Sequence, residues 1–354
     1  MGMGPNPLSE PRCVKRSRLL VPAGALYGGF AFVMATGIVS IAARLVGLTL
    51  VSAVLLVVNL IAFPALWALF AAHLACDPAF VAADLRDHRL APRALTTVAA
   101  TCVVGNEVAL AGGFPAIVVA LWIVAVVLWA VLVYGIFALM TIARDKPPFE
   151  SGLDGAWLLV VVATEALAIL TTRAAGLVAP APPLLFAGLC LFLLGGAFYA
   201  LLLFLIVYRW LFLPMPAEEL TPAYWINMGA AAIATLAGTR LLSAAGGAAI
   251  IAPLRGFVFA ATVAFWSLAS WWIPLLTALS LWRHRPGAVR LGYRLDNWAI
   301  VFPLGMYTTA TWRLSHEVGF PFLRPVPDVF VWVALAAWGA TFVGMARAAL
   351  RRSR

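Results

Sequence analysis

Apolar residues fall in ten runs along the chain, at about 24–46, 48–73, 94–113, 115–140, 153–174, 184–212, 223–245, 255–282, 297–317 and 328–348. A helix needs roughly 20 apolar residues, each rising about 1.5 Å, to cross the hydrocarbon core of a bilayer. Each run meets or approaches that length. The gaps between runs are short, and the longest reaches from about Ala75 to Pro92 (DPAFVAADLRDHRLAP over its last sixteen residues). Short connections make consecutive helices antiparallel neighbours. The pattern therefore predicts an all-α integral membrane protein of ten transmembrane helices arranged as five hairpins.

The odd-numbered runs differ from the even ones. Gly, Ala, Ser and Thr crowd the odd runs, whereas the even runs carry bulky stretches such as LLLFLIVYRWLFL and VVLWAVLVYGIFALM. Small residues permit close helix approach or leave space along an axis; bulky ones suit lipid. Two odd runs also resemble each other. Phe30–Ser40 (FAFVMATGIVS) aligns with Trp298–Thr308 (WAIVFPLGMYT), with Ala31, Val33 and Gly37 matching Ala299, Val301 and Gly305, and Ser40 facing Thr308. Internal repeats of this kind are common in transporters. The expected architecture is an inner ring of five odd-numbered helices around a pore and an outer ring of five even-numbered helices. Thr36, Gly37, Gly105, Thr164, Gly229 and Gly305 are the expected pore-lining positions.

Charge orients this arrangement. One alternate set of gaps and tails holds Arg12, Lys15, Arg16, Arg18, Arg86, Arg89, Arg93, Arg144, Lys146, Arg209, Arg283, Arg285, Arg290, Arg294, Arg347, Arg351, Arg352 and Arg354, which is 18 of the 24 basic residues. The other set holds Arg44, Arg173, Arg240, Arg255, Arg313 and Arg324, which is 6. An 18-to-6 split is the positive-inside pattern and places both termini in the cytoplasm, in a plasma (inner) membrane. A miscounted run would have mixed the two sets, so the asymmetry also supports the count of ten. The domain reading is a basic cytoplasmic tail over residues 1–20 and one ten-helix membrane transport domain over 21–354.

Composition agrees. The chain is 64% hydrophobic and 11% charged, with a mean hydropathy of +1.01, values that leave a water-soluble fold nowhere to put its apolar surface. The net charge of +10 would suggest nucleic acid in a soluble protein. Here the positive-inside bias accounts for it, and no nucleic-acid partner is expected. The first run is too long for a signal-peptide core and nine more follow it, so it reads as a retained span. Cys13, Cys76, Cys102 and Cys190 show no C-x-x-C spacing, and they indicate neither a disulfide framework nor a metal site.

Four odd runs carry an arginine at or near the outer end: Arg44, Arg173, Arg240 and Arg313. One reading is a positive outer vestibule that concentrates anions. The other is that an arginine at a helix C-terminus is favoured by the macrodipole and extends to the interface. Two carboxylates, Glu107 and Glu165, lie within odd runs. A charged side chain at a span's centre costs about 2.5–3.5 kcal/mol on insertion scales, so such acids usually face an interior or a wet cavity. They are either proton-linked or gating acids, or neutral or ion-paired ones, with Arg44 or Arg173 as the partner. His73, His88, His284 and His316 sit at or beyond run ends without ligand spacing, so no metal is expected. No nucleophile elbow, P-loop or H-E-x-x-H occurs. No catalytic residue or cofactor is expected, and transport is the default use of ten spans.

Phe30–Ser40, Gly155–Leu170 (GAWLLVVVATEALAIL), Leu220–Gly238 (LTPAYWINMGAAAIATLAG) and Trp298–Thr311 (WAIVFPLGMYTTAT) resemble the tellurite-resistance/dicarboxylate transporter family, which is related to the plant slow anion channels. These stretches cover at least four odd runs. The resemblance implies ten spans, five kinked inner helices around a pore, cytoplasmic termini and a homotrimer with one pore per subunit. It also implies an aromatic gate in a W-A-x-x-F-P setting, which falls here on Phe302, followed by Pro303. Proline inside a helix frees a carbonyl and bends the axis, so the residues themselves put Phe302 at a bend. One departure is visible. Relatives commonly read P-V-V-A-T-Q where this chain has Val160-Val161-Val162-Ala163-Thr164-Glu165, so the fifth span lacks a proline and gains an acid.

Three functions compete at this point. The first is transport of small anions, a C4-dicarboxylate or oxyanions such as sulfite or tellurite, with Glu165 favouring proton linkage. The second is a passive channel for chloride or nitrate, and the third is a non-conducting membrane scaffold. Small-residue inner spans and Phe302 argue against the third. Selectivity depends on pore radius and field, neither of which a sequence displays.

Overall fold

The computed structural model describes residues 24–244, 251–285, 289 and 292–352. The basic tail at 1–20, Arg290 and Arg354 lie outside the described residues. Ten long helices run through the described residues, with no strand among them. They are α1 (Ala25–Leu45), α2 (Thr49–Cys76), α3 (Thr96–Leu110), α4 (Pro115–Ile142), α5 (Leu159–Ala174), α6 (Ala181–Phe212), α7 (Ile226–Ala244), α8 (Arg255–Arg283), α9 (Trp298–Arg313) and α10 (Pro325–Arg352). The connection after α2 is not bare loop, since Pro78–Asp84 and Ala91–Ala94 are short helices.

Eight stretches are long and apolar enough to cross a membrane: α1, α2, α4, α6 and stretches that contain α3, α5, α8 and nearly all of α10. The other two long helices fall short for local reasons. Helix α9 has 16 residues before it passes into a π-turn at Leu314–Val318. Helix α7 carries Asn227 and Arg240 among alanines and glycines, which dilutes its hydropathy.

Burial separates the helices into two kinds. In the most apolar windows of α1, α3 and α5, 72–89% of residues are buried; in α2, α4, α6, α8 and α10 the share is 11–28%. Helices α7 and α9 are also buried along nearly their whole length. Among the buried helices, α1 packs on α3, α3 on α5, α5 on α7, α7 on α9 and α9 on α1, a closed cycle of neighbours. Each also packs against the helix that follows it: α2, α4, α6, α8 and α10 respectively. The five following helices present large exposed side chains such as Ile61, Tyr134, Phe204, Trp271 and Trp332. A helix apolar on every side, with its bulk turned outward, matches a lipid environment.

Local sequence explains the turns. Gly47 (φ +90°) joins α1 to α2 and Gly112 (φ +93°) joins α3 to α4, both in the left-handed region that glycine enters without a Cβ clash. Three positions on, Pro115 opens α4, where its missing N–H costs nothing. At the other end, Asp154 accepts a hydrogen bond from the Ala156 backbone N–H (2.9 Å) and starts the turn that leads into α5. Arg209 is buried there and donates to the Leu153 carbonyl, the Tyr224 hydroxyl and Glu219. It ties the end of α6 to the starts of α5 and α7. Cys76 is disulfide-bonded, a bond that the cysteine spacing does not announce, while Cys102 and Cys190 are free thiols.

A recurrent contact fastens the exposed helices to the buried ones. Indole N–H groups donate to threonine hydroxyls from Trp122 to Thr171 (3.1 Å), Trp129 to Thr164 (2.9 Å), Trp266 to Thr311 (3.0 Å) and Trp338 to Thr36 (3.0 Å). Each pair joins one outward helix to one inward helix. In an apolar surrounding, such a bond satisfies two groups that would otherwise be costly to bury.

Candidate functional site

The five buried helices enclose two cavities that lie in series. The first, about 60 Å³, is lined near the N-terminal ends of all five, by residues including Ala31, Met34, Thr96, Leu159, Ile226 and Ala299. The second, about 30 Å³, is lined by their C-terminal halves: Ile38 and Ile41; Cys102, Val103, Asn106 and Leu110; Ala166 and Ile169; Ile233, Leu236 and Arg240; Met306, Thr309 and Arg313. Beyond it opens a wider space of about 600 Å³ between the ends of α3, α5 and α7 and the start of α4. Ile169 and Arg240 border both this space and the second cavity.

Along α9, Phe302 falls between the residues that line the two cavities. On α9 the first cavity ends at Ala299 and the second begins at Met306. The two positions are seven steps apart along the helix, roughly 10 Å at 1.5 Å per residue. Positions 299, 302, 306, 309 and 313 follow the 3-4-3-4 spacing of a single helix face. Phe302 is therefore on the face that borders both cavities, and it is fully buried. Its ring packs on Gly229 of α7: a Cβ at Gly229 would lie 3.3 Å from the Phe302 ring and 2.9 Å from Pro303 Cγ. Glycine is needed there because two bulky side chains already fill the space.

The remaining expected positions are distributed differently. Gly37 faces Val103, Asn59 and Glu107; Gly105 faces Leu170 and Leu121; Gly305 faces Ile38 and Val39. These three lie at helix–helix contacts, where the missing Cβ lets the helices approach. Thr36 and Thr164 turn their hydroxyls to Trp338 and Trp129 on outward helices. Residues that do border the cavities but had no distinguishing mark in the sequence are Met34, Ile38, Asn106, Ile233, Met306 and Thr309. Helical spacing from Phe302 along α9 is the signal in the sequence that reaches Met306, Thr309 and Arg313.

Both acids sit away from the cavity walls. Glu165 is fully buried on α5 and packs against α6, with its Cδ 2.7 Å from where a Cβ at Gly195 would be. Neither of its oxygens has a hydrogen-bond partner. Glu107 Oε2 accepts from Asn59 Nδ2 (2.7 Å), which also donates to the Val33 carbonyl (3.1 Å). Its partner is thus an amide of α2, and no described ion pair links it to Arg44 or Arg173.

Three of the four arginines gather at one end. Arg173 and Arg240 line the wide space, and Arg240 and Arg313 line the second cavity. Arg173 Nε donates to Asn106 Oδ1 (3.2 Å). Arg313 pairs with Glu317, whose other oxygen accepts from Ser243 Oγ (3.1 Å). Arg44 is exposed at the end of α1 and borders none of these spaces. The opposite end carries a second charged group, with Arg93 Nη2 3.7 Å from Asp154 Oδ2. Burial holds the Asp154 carboxyl above its ordinary range, against the lowering effect of Arg93. No described cluster of His, Cys, Asp and Glu could hold a metal.

Two cavities thus lie in series along the five buried helices, and the one toward the helix C-termini is bordered by Arg240 and Arg313. Residues 27–346 match the family described as voltage-dependent anion channel. An uncharacterized membrane protein of Mycobacterium tuberculosis is 41% identical over 141 residues, which cover 40% of this chain and 71% of that protein. An uncharacterized transporter of Methanocaldococcus jannaschii is 26% identical over 150 residues, 42% of either chain. A second such transporter from the same organism is 25% identical over 150 residues, 42% of this chain and 41% of its own length.

Proposed function

Because the chain belongs to the voltage-dependent anion channel family, we propose that it carries small anions across a membrane along the axis of α1, α3, α5, α7 and α9, with Phe302 as the gate. The observation that carries this reading is the position of Phe302 on the α9 face whose neighbours border both cavities, with its ring packed on Gly229. The closed cycle of buried helices and their outward partners supports ten spans in two rings. A hydrophobic constriction stops permeation by excluding water, and a ring that fills the gap between two cavities has this effect. Arg173, Arg240 and Arg313 form the outer vestibule, where positive potential raises the local concentration of anions. The proposed orientation, from the positive-inside split, has cytoplasmic termini in a plasma membrane, and the proposed assembly is the homotrimer that the family resemblance implies.

The substrate class is a C4-dicarboxylate or an oxyanion such as sulfite or tellurite. A flux panel in liposomes, with malate, succinate, sulfite, tellurite, nitrate and chloride, tests this choice. Flux of none of them, by protein shown to be inserted and folded, overturns the transport reading. A second reading, a passive channel for chloride or nitrate, draws support from one observation. Glu165, the acid that favoured proton linkage, faces Gly195 rather than either cavity. Glu165→Gln separates the two: a pH profile of flux that survives the substitution favours the channel, and a profile that flattens favours the proton-linked carrier.

A further inference from the structure

Threonines on the five buried helices follow one rule with one exception. Thr36, Thr164, Thr171 and Thr311 accept from indole N–H groups, while Thr96, Thr97, Thr101, Thr172, Thr235, Thr239 and Thr308 donate to backbone carbonyls. The hydroxyl of Thr309 is buried, with 1% of the residue exposed, and has no partner. One turn further along α9, Arg313 is 7% exposed and its Nε–H is likewise unpartnered. Both residues border the same cavity of about 30 Å³, on the side of Phe302 that opens toward the arginines.

We propose that Thr309 and Arg313 form an anion-binding subsite next to the gate, which takes a halide or one oxygen of a carboxylate or oxyanion. This deepens the transport reading and rests on it, by naming where the anion pauses before Phe302. The donor set selects the charge. A hydroxyl and a guanidinium N–H can both give hydrogen bonds to an anion, and no carboxylate borders the cavity. Asn106, also on the wall, is already engaged: its Nδ2 donates to the Cys102 carbonyl (2.9 Å) and its Oδ1 accepts from Arg173. Glu317 balances the charge of Arg313 through its Nη1 and leaves Nε for a ligand. Arg240 borders the cavity without a described ion pair and supplies the net positive charge. Charge-assisted hydrogen bonds of this kind are the stronger ones, and leaving two such donors empty in a buried cavity is costly.

Bromide is the probe. Anomalous diffraction from crystals of the full chain grown in bromide should show a peak within hydrogen-bonding distance of Thr309 Oγ1 and Arg313 Nε. Thr309→Val, which keeps the shape and removes the hydroxyl, should abolish it. In liposomes the same substitution should raise the half-saturating concentration of a transported anion about tenfold, the equivalent of about 1.4 kcal/mol. Thr309→Ser should restore the wild-type value, which separates loss of the hydroxyl from loss of fold. Absence of bromide from the cavity, or half-saturation that Thr309→Val leaves unchanged, overturns the subsite. A bromide peak in a protein that passes no anion leaves the subsite standing and overturns the transport reading instead.

Discussion

Gly195 offers a test of where Glu165 points. A Cβ at Gly195 would lie 2.7 Å from Glu165 Cδ and 2.9 Å from Cγ. Carbon atoms in good contact are about 3.5–4.0 Å apart, so Gly195→Ala would overlap a fully buried side chain by about 1 Å. Overpacking of this kind costs about 1–3 kcal/mol. Against it stands the helix propensity of alanine over glycine, up to about 1 kcal/mol in favour. The single substitution should therefore be neutral to destabilising by about 2 kcal/mol. With Glu165→Ala the obstruction is gone and only the propensity gain remains, so Gly195→Ala should then stabilise by up to about 1 kcal/mol. The coupling energy isolates the steric clash, because the propensity gain and the loss of the buried acid each cancel around the cycle. Its expected size is about 1–3 kcal/mol. Reversible unfolding of the four proteins in detergent micelles measures it. Additivity within about 0.5 kcal/mol would mean that Glu165 does not pack on α6, and would refute its placement away from the cavities.

Three further outcomes follow from the same geometry. Thr164→Val removes the acceptor of the Trp129 indole and should cost about 1–3 kcal/mol in unfolding free energy; a neutral effect would show that the tryptophan–threonine contacts do not fasten the two sets of helices. Arg173→Gln and Arg240→Gln should lower anion flux most at low ionic strength, since at 0.15 M salt the field is screened beyond about 8 Å, whereas Arg44→Gln, on an exposed residue, should leave flux unchanged; equal effects at all three sites, or a loss independent of salt, would refute a vestibule made by the converging arginines. Asn59→Ala leaves Glu107 without its amide donor and should destabilise by about 1–3 kcal/mol, which thermal unfolding would report, and no change would deny that the pair is a structural contact.

Much of the fold is legible from sequence because two simple signals reinforce each other. Ten apolar runs locate the long helices, and the contrast between small and bulky runs anticipates which helices are buried. The short helices at Pro78–Asp84 and Ala91–Ala94 carry no sequence mark because they lie in a polar connection without a long apolar period. The site is less legible, since composition tells that a helix is inward-facing without telling which of its faces meets which neighbour. Gly37, Gly105 and Gly305 illustrate this: each is small because another helix approaches it, and only Gly229 meets Phe302. Thr36 and Thr164 are polar because distant tryptophans need acceptors, and those pairs span up to 302 positions of sequence. Once Phe302 is placed on its face, the 3-4 spacing along α9 leads to Thr309 and Arg313.

The most direct test of the central claim is anion flux through Phe302→Ala, measured in liposomes at matched protein density. If the ring separates the two cavities and closes the axis, its removal joins them into one hydrated path. Flux should then rise at least tenfold, corresponding to about 1.4 kcal/mol taken from the barrier. Phe302→Leu, which keeps an apolar plug, should lie between the two. Wild-type flux in a well-folded Phe302→Ala protein would contradict the gate and with it the assignment of the axis.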